Sequence, residues 1–245
     1  HGLATRLIER HNLRGKQIVE IGCSKGDFLL MMCELGGNSG VGIDPSAVTG
    51  RVRSAAASRV TFIQDYYSEK YAEHRGDLIA CRHTLEHIHP VAEFVRTVRR
   101  VVGDRRDTVI FFELPETRRV LGEQAFWDIY YEHCSYFTPG SLARLFRRCG
   151  FAVTDLACDY GEQYLLLEAR PAESQTDGVA EGGLQAIEET VATLEQEVAE
   201  FAVRVRERRA GWGRHLQTAK AEGRKVVVWG SGSKCVAFLT TLGTA

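Results

Sequence analysis

Short runs of aliphatic and β-branched residues alternate with longer stretches whose apolar positions recur every three or four residues through the first 170 residues. An amphipathic helix over 3–13 leads into a strand near 17–22, then helix 26–35, strand 40–44, helix 46–57 and strand 60–64. The series continues with strand 77–81, helix 90–102 and strand 108–113. Apolar strands separated by helical patterns predict a parallel sheet covered on both faces. An aromatic-rich irregular stretch, 114–138, interrupts the rhythm. Thr138 and Pro139 then mark the N-cap and first position of a helix over 139–149. Phe151-Ala152-Val153-Thr154 and Tyr164-Leu165-Leu166-Leu167-Glu168 complete seven strands, the last two antiparallel at the sheet edge. The fold class is α/β.

The pattern changes beyond residue 170. Residues 171–183 are polar and turn-rich and read as a linker. From 184 to 222 a long amphipathic helical segment is expected, with Leu184, Ile187, Val191, Leu194, Val198, Phe201 and Val205 forming a heptad seam. That seam either packs on the chain's own domain or pairs two copies into a homodimer through 184–205. Residues 223–245 repeat the strand–turn–helix plan, with Val226-Val227-Val228-Trp229 before Gly230-Ser231-Gly232-Ser233-Lys234. Such a turn either holds an anion at a helix N-terminus, helped by Lys234, or serves packing alone. The division is thus 1–170, a linker, a helical segment, and the start of a second α/β unit.

Composition narrows the classes. The net charge of −1, with 26% charged residues, argues against binding nucleic acid or an anionic membrane. No apolar run is long enough to span a bilayer, and no signal peptide is evident at the start. The seven cysteines form no C-x-x-C pair, so a disulfide framework or structural zinc site is not expected and a cytoplasmic location fits. The chain starts at His1 rather than methionine and stops after a short helix, as a piece of a longer protein would.

Candidate chemistry begins at Val19-Glu20-Ile21-Gly22-Cys23-Ser24-Lys25-Gly26-Asp27, a strand, glycine turn and helix start, followed by Gly42-Ile43-Asp44-Pro45-Ser46. An acid at the tip of the second strand is how α/β sheets hold an adenosine. A dinucleotide fingerprint would need glycines at Ser24 and Asp27, and a Walker loop would need Gly-Lys-Ser/Thr. Neither is present. Glu20 would repel a pyrophosphate and welcome a cationic amino group, which selects S-adenosylmethionine.

These residues resemble the first two motifs of class I S-adenosylmethionine-dependent methyltransferases over about residues 1–170. The resemblance implies a seven-stranded Rossmann-like sheet with helices on both faces. It implies that Gly22, Cys23 and Ser24 line the cofactor turn, that Glu20 anchors the amino-acid end, and that Asp44, beside Pro45, takes the ribose hydroxyls. The product would be S-adenosylhomocysteine. Ser24 departs from the family's commoner glycine but is small.

Further candidates lie after the strand ends. Asp65 either accepts from the adenine amine, with Tyr66 against the ring, or is an ordinary loop residue. In Cys81-Arg82-His83-Thr84-Leu85-Glu86-His87-Ile88-His89, position implies cofactor contacts for Arg82 and His83, while Glu86 and His87 orient the next helix or face the acceptor. Three close histidines raise a metal, but no matching carboxylate or cysteine cluster supports one, and no metal is expected. Tyr130-Tyr131-Glu132-His133 places phenols, a carboxylate and an imidazole on the rim where an acceptor would sit, as a general base with its support or as a polar network under an aromatic lid.

Tyr130-Tyr131-Glu132-His133 with Ser135-Tyr136-Phe137, and Trp229-Gly230-Ser231-Gly232-Ser233-Lys234, also resemble the deoxysugar C-methyltransferases. That family implies a nucleotide-linked keto-sugar acceptor, His133 as base, Tyr130 and Glu132 in support, and Tyr131, His87 and Lys234 on the substrate side. Members usually carry an N-terminal zinc module with paired C-x-x-C motifs, and no such pair lies in this sequence. An O-methyltransferase for a small molecule, or a non-catalytic S-adenosylmethionine-binding scaffold, stays open.

Overall fold

Alternate residues of the first strands bury themselves against helices on opposite faces, and this sets the architecture of the computed structural model, which describes residues 1–48, 53–173 and 185–243. The strands are β1 (Gln17–Ile21), β2 (Ser39–Ile43), β3 (Val60–Ile63), β4 (Leu78–Arg82), β5 (Val109–Pro115), β6 (Phe151–Asp159) and β7 (Tyr164–Pro171). They form one seven-stranded sheet ordered β3-β2-β1-β4-β5-β7-β6. The helices are α1 (Gly2–His11), α2 (Asp27–Gly36), α3 (Val91–Val102), α4 (Thr117–Glu123), α5 (Pro139–Arg148), α6 (Val191–Ala221) and α7 (Ser233–Leu242). Ile18, Leu78, Ala80 and Phe111 meet Phe28, Leu29 and Met32 of α2 on one face. Val19, Ile21, Ile79 and Phe112 meet Val95 of α3 and Phe146 of α5 on the other. The sheet belongs to the Rossmann-like α/β class.

Register aligns the chemistry. Ile21 pairs with Ile43 and with Cys81, and Arg82 pairs with Glu113. The next residues along β1 and β2, Gly22 and Asp44, therefore emerge beside Arg82 and Glu113 at the carboxyl ends of the strands, where open α/β sheets bind ligands.

Most expected elements form within a residue or two of their expected bounds. Thr138 caps α5 with a reciprocal capping box to Ser141, and Pro139 opens the helix. Several expectations are corrected. The last two strands are antiparallel as expected, and β7 inserts between β5 and β6, so of these two only β6 is an edge strand. In the described part of 46–57 there is no α-helix; Asp44 draws the Ser46 N–H and hydroxyl into a turn, and one 3-10 turn spans Ala57–Arg59. Residues 49–52 lie outside the described residues, as do most of the linker and Leu184 of the seam. The stretch 114–138 is not wholly irregular, because Glu116 caps α4 by accepting from Arg118 and Arg119 N–H.

The long helix starts at Val191, capped by Thr190, rather than near 184. The residues before it are fastened to α5 instead. Glu188 pairs with Arg147 at 2.6 Å, and buried Glu189 accepts from Gly140 N and Thr138 Oγ1. The strand expected at 225–229 is absent, and Val227 and Trp229 stand exposed. Among the described residues no strand lies beside this segment, and an isolated strand leaves its backbone unpaired and its apolar face wet. The helix after the turn does form, as α7, and stacks Phe238 on Phe126.

Candidate active site

The turn after β1 is held by its neighbours. Gly22 has φ 74°, and its N–H donates to Ile43 O at 2.8 Å. A Cβ there would lie 2.0 Å from Thr84 Oγ1, so both backbone and space demand glycine. Ser24 also takes a positive φ, 48°, and is exposed, while Cys23 is buried and its thiol is pushed up to about 12 by burial. Pro45 is exposed at the tip of β2.

Glu20 shares a sheet face with Ile18 and is therefore sealed under α2. Its Oε2 accepts from Leu29 N–H at 3.1 Å, satisfying one of the helix's orphan donors. Burial pushes its carboxyl up to about 8, so the acid is mostly protonated at neutral pH. This corrects the charge argument: the repulsion expected from Glu20 is largely absent. The linkage sign follows. A pKa raised from 4.5 to about 8 adds stability that is complete below 4.5 and lost as pH climbs through 8. Glu20→Gln, a neutral mimic of the acid, is expected to gain stability relative to the parent between about pH 5 and 8, with a ceiling near 1.4 kcal/mol per pH unit. Melting temperatures across that range check it, and a flat difference would mean that Glu20 is ionised.

Arg82 and His83 are engaged with an acid. Glu113, 4% exposed, accepts from Arg82 Nε at 2.7 Å, Arg82 Nη2 at 2.9 Å and His83 Nε2 at 2.9 Å. Burial alone would raise Glu113, but the bonds from His83 and Arg82 hold it at about 2. The Arg82 guanidinium lies 4.5 Å from the Phe28 ring centroid, and His83 is edge-on to Tyr164. His83 has φ 47°, an uncommon backbone state for a side chain of this size, fixed by its N–H to Glu113 O at 2.8 Å.

Asp44 is buried, and its oxygens accept from Ser24 N at 2.7 Å, Ser46 N at 2.6 Å and Ser46 Oγ at 2.7 Å. A carboxylate offers about four lone-pair sites, so one remains at Oδ2, and rotation of the Ser46 hydroxyl frees a second. That capacity fits the two hydroxyls of a ribose. Asp65 is instead held by Lys70 and Tyr71, which with Tyr66 N–H keep it at about 2, and Tyr66 is 76% exposed.

A second cavity lies past β4 and β5, lined in part by His83, Glu86, His87, Tyr130, His133 and Tyr136. Backbone bonds build it. Cys134 N and Ser135 N both donate to Glu86 O, and His87 Nδ1 donates to Glu132 O at 2.7 Å. The His133 ring sits 4.3 Å from Tyr130, 4.9 Å from His87 and 5.9 Å from Tyr136. Neither of its nitrogens bonds a described residue. Burial first, then His87, lowers its pKa and keeps the imidazole neutral. Lys234 reaches the cavity from α7, its Nζ 2.6 Å from Asp128 Oδ1. Tyr131 is the exception, pointing to solvent at 99% exposure, and Glu132 contributes its carbonyl rather than a bonded carboxylate.

The profile of a methyltransferase domain family matches residues 2–156. The chain belongs to that family. C-methyltransferase NovU of Streptomyces niveus is 28% identical to it, over 96% of this chain. This chain spans 57% of the length of that protein. Among solved structures, the magnesium protoporphyrin IX methyltransferase of Synechocystis with bound SAH superposes over 70% of this chain and 81% of its own, with a TM-score of 0.50 and 13% identity. A Burkholderia thailandensis 1,6-didemethyltoxoflavin-N1-methyltransferase covers 70% and 77%, with a TM-score of 0.51 and 18% identity. At such identities these two share the fold alone.

The site also brings in residues that the local sequence pattern does not single out. Glu113 organises both Arg82 and His83. Its signal was an acid inside the apolar run Phe111-Phe112-Glu113-Leu114, an expense that a cationic partner offsets. Tyr136 closes the His133 loop by accepting from Tyr130 N–H at 3.1 Å. The carboxylate held to be missing beside the histidines is Glu86, whose group lies with His87 and His133.

Proposed function

We propose that this methyltransferase places a methyl group on carbon next to a ketone of a nucleotide-linked sugar, with His133 as general base. The observation that carries the reading is the His133 imidazole, without a hydrogen bond to any described residue, facing a cavity at the carboxyl ends of the strands. S-adenosylmethionine supplies an electrophilic methyl on cationic sulfur, so the protein must align the acceptor and remove its proton. His133 takes the proton α to the ketone, and the resulting enolate carbon is the nucleophile. Tyr130, whose phenol burial pushes up to about 12, is a poor base near neutral pH but a standing donor for the enolate oxygen. The similarity to NovU, a C-methyltransferase, supports carbon as the site.

In this reading Gly22, Cys23, Ser24 and Asp44 hold the cofactor, with Arg82 and His83 fixed beside it by Glu113. Glu20 acts from beneath, through α2. Lys234, half-exposed at the cavity mouth, meets the acceptor's phosphates once it leaves Asp128. The catalytic domain is residues 1–170, and the later segments serve acceptor binding. The test is a reaction with methyl-labelled cofactor and a nucleotide-linked keto-sugar, read by carbon NMR. A new C–CH3 resonance is expected. A methyl found on oxygen would refute carbon transfer and favour the O-methyltransferase alternative.

A further inference from the structure

Glu86, His87 and His133 each present one ligand atom, and these atoms lie within 4.8 Å of one another. Three observations make the cluster more than a chance pairing of histidines. Glu86 is 2% exposed, yet its Oε2 has no hydrogen-bond partner among the described residues. Its Oε1 comes no closer than 3.9 Å to His83 Nδ1, beyond hydrogen-bond reach. Such a buried acceptor calls for a donor or a cation. His87 donates Nδ1–H to the Glu132 carbonyl, which leaves Nε2 with its lone pair. That backbone contact is how ligating imidazoles are oriented from outside the coordination shell. The third group, His133, bonds no described residue through either ring nitrogen and stands edge-on to His87.

Two imidazoles and one carboxylate suit a borderline cation and not magnesium or calcium, which take oxygen donors. Bonds of about 2.0–2.2 Å would draw the three atoms to roughly 3.4 Å apart, a closure of up to about 1.4 Å that side-chain rotation supplies. The half-exposed face of the cavity leaves a fourth position for water.

We propose that Glu86, His87 and His133 form a three-ligand site for a zinc-type divalent cation. Occupation of the site silences methyl transfer, because the ion takes the His133 lone pair needed for proton removal. Only the silencing rests on His133 as base; the binding stands on the geometry.

The probes are Zn2+ by calorimetry and Co2+ by visible absorption, each added to chelator-treated protein. One ion per chain is expected, with Co2+ ligand-field bands and no thiolate charge-transfer band. Glu86→Gln and His133→Ala, each verified as folded by circular dichroism, should weaken binding at least tenfold. Undiminished binding in both variants, or thiolate bands, would place the ion on the scattered cysteines and overturn the site. Turnover of the wild type should fall in step with Zn2+ occupancy and recover with chelator. Full turnover with the site filled would overturn the silencing. A wild type that binds zinc while His133→Ala keeps its activity would instead sink the general-base reading and spare the metal site.

Discussion

Asp44→Ala is expected to weaken S-adenosylmethionine binding by about 3 kcal/mol, on the order of 100-fold, from the loss of hydrogen bonds to a charged acceptor. The carboxylate is buried and already organises the cofactor turn through Ser24 N and the following turn through Ser46. In the proposed role, removing it takes away the ribose acceptor and loosens the groups that frame it. Ser46→Ala separates these effects. It deletes the hydroxyl that competes for Asp44 Oδ1 while leaving the Ser46 N–H bond, so affinity should hold or rise. Calorimetry on both folded variants decides the matter. Unchanged affinity in Asp44→Ala would remove the residue from the cofactor site.

That prediction was legible in the sequence because a strand, a glycine turn and an acid on the next strand are local patterns, and a parallel register brings their ends together. Glu20 shows what local pattern does not carry. Its position was read as a charge, but the face of β1 it occupies is covered by α2, and burial suppresses that charge. The helix expected at 46–57 gave way to Asp44, whose oxygens bind the backbone that would have started it. At 225–229 the β-branched run was real, yet a strand exists only beside another strand. The cavity was legible as a list of residues but not as a set of partners. Tyr130 and His133 are inside and Tyr131, between them and equally aromatic in sequence, is outside, because an irregular loop has no period from which facing can be read. Tyr136 and Glu86 enter by accepting hydrogen bonds from Tyr130 N–H and from Cys134 that span 6 and 48 residues.

His133→Ala should cut turnover by about 10²–10⁴-fold, the range for a lost general base, while cofactor affinity stays near the parent value. The imidazole packs against Tyr130, His87 and Tyr136, and none of these ring contacts involves the Gly22 turn, so the proposed role assigns the loss to the acceptor side. Proton removal can be observed apart from methyl transfer. With keto-sugar and S-adenosylhomocysteine in heavy water, the wild type should exchange the α-hydrogen without methylating the sugar, and His133→Ala should not. The pH profile carries a second signature. A base must be neutral to act, and burial lowers the His133 pKa, so kcat/KM should persist to more acid pH than a solvent-exposed histidine allows. Exchange that survives the substitution would pass the role to another group. Tyr130 would be the first candidate, and its phenol, pushed up to about 12, would then show as a rate that keeps climbing with alkaline pH. Loss of cofactor binding in His133→Ala would instead place the residue in the cofactor shell and leave the base unassigned.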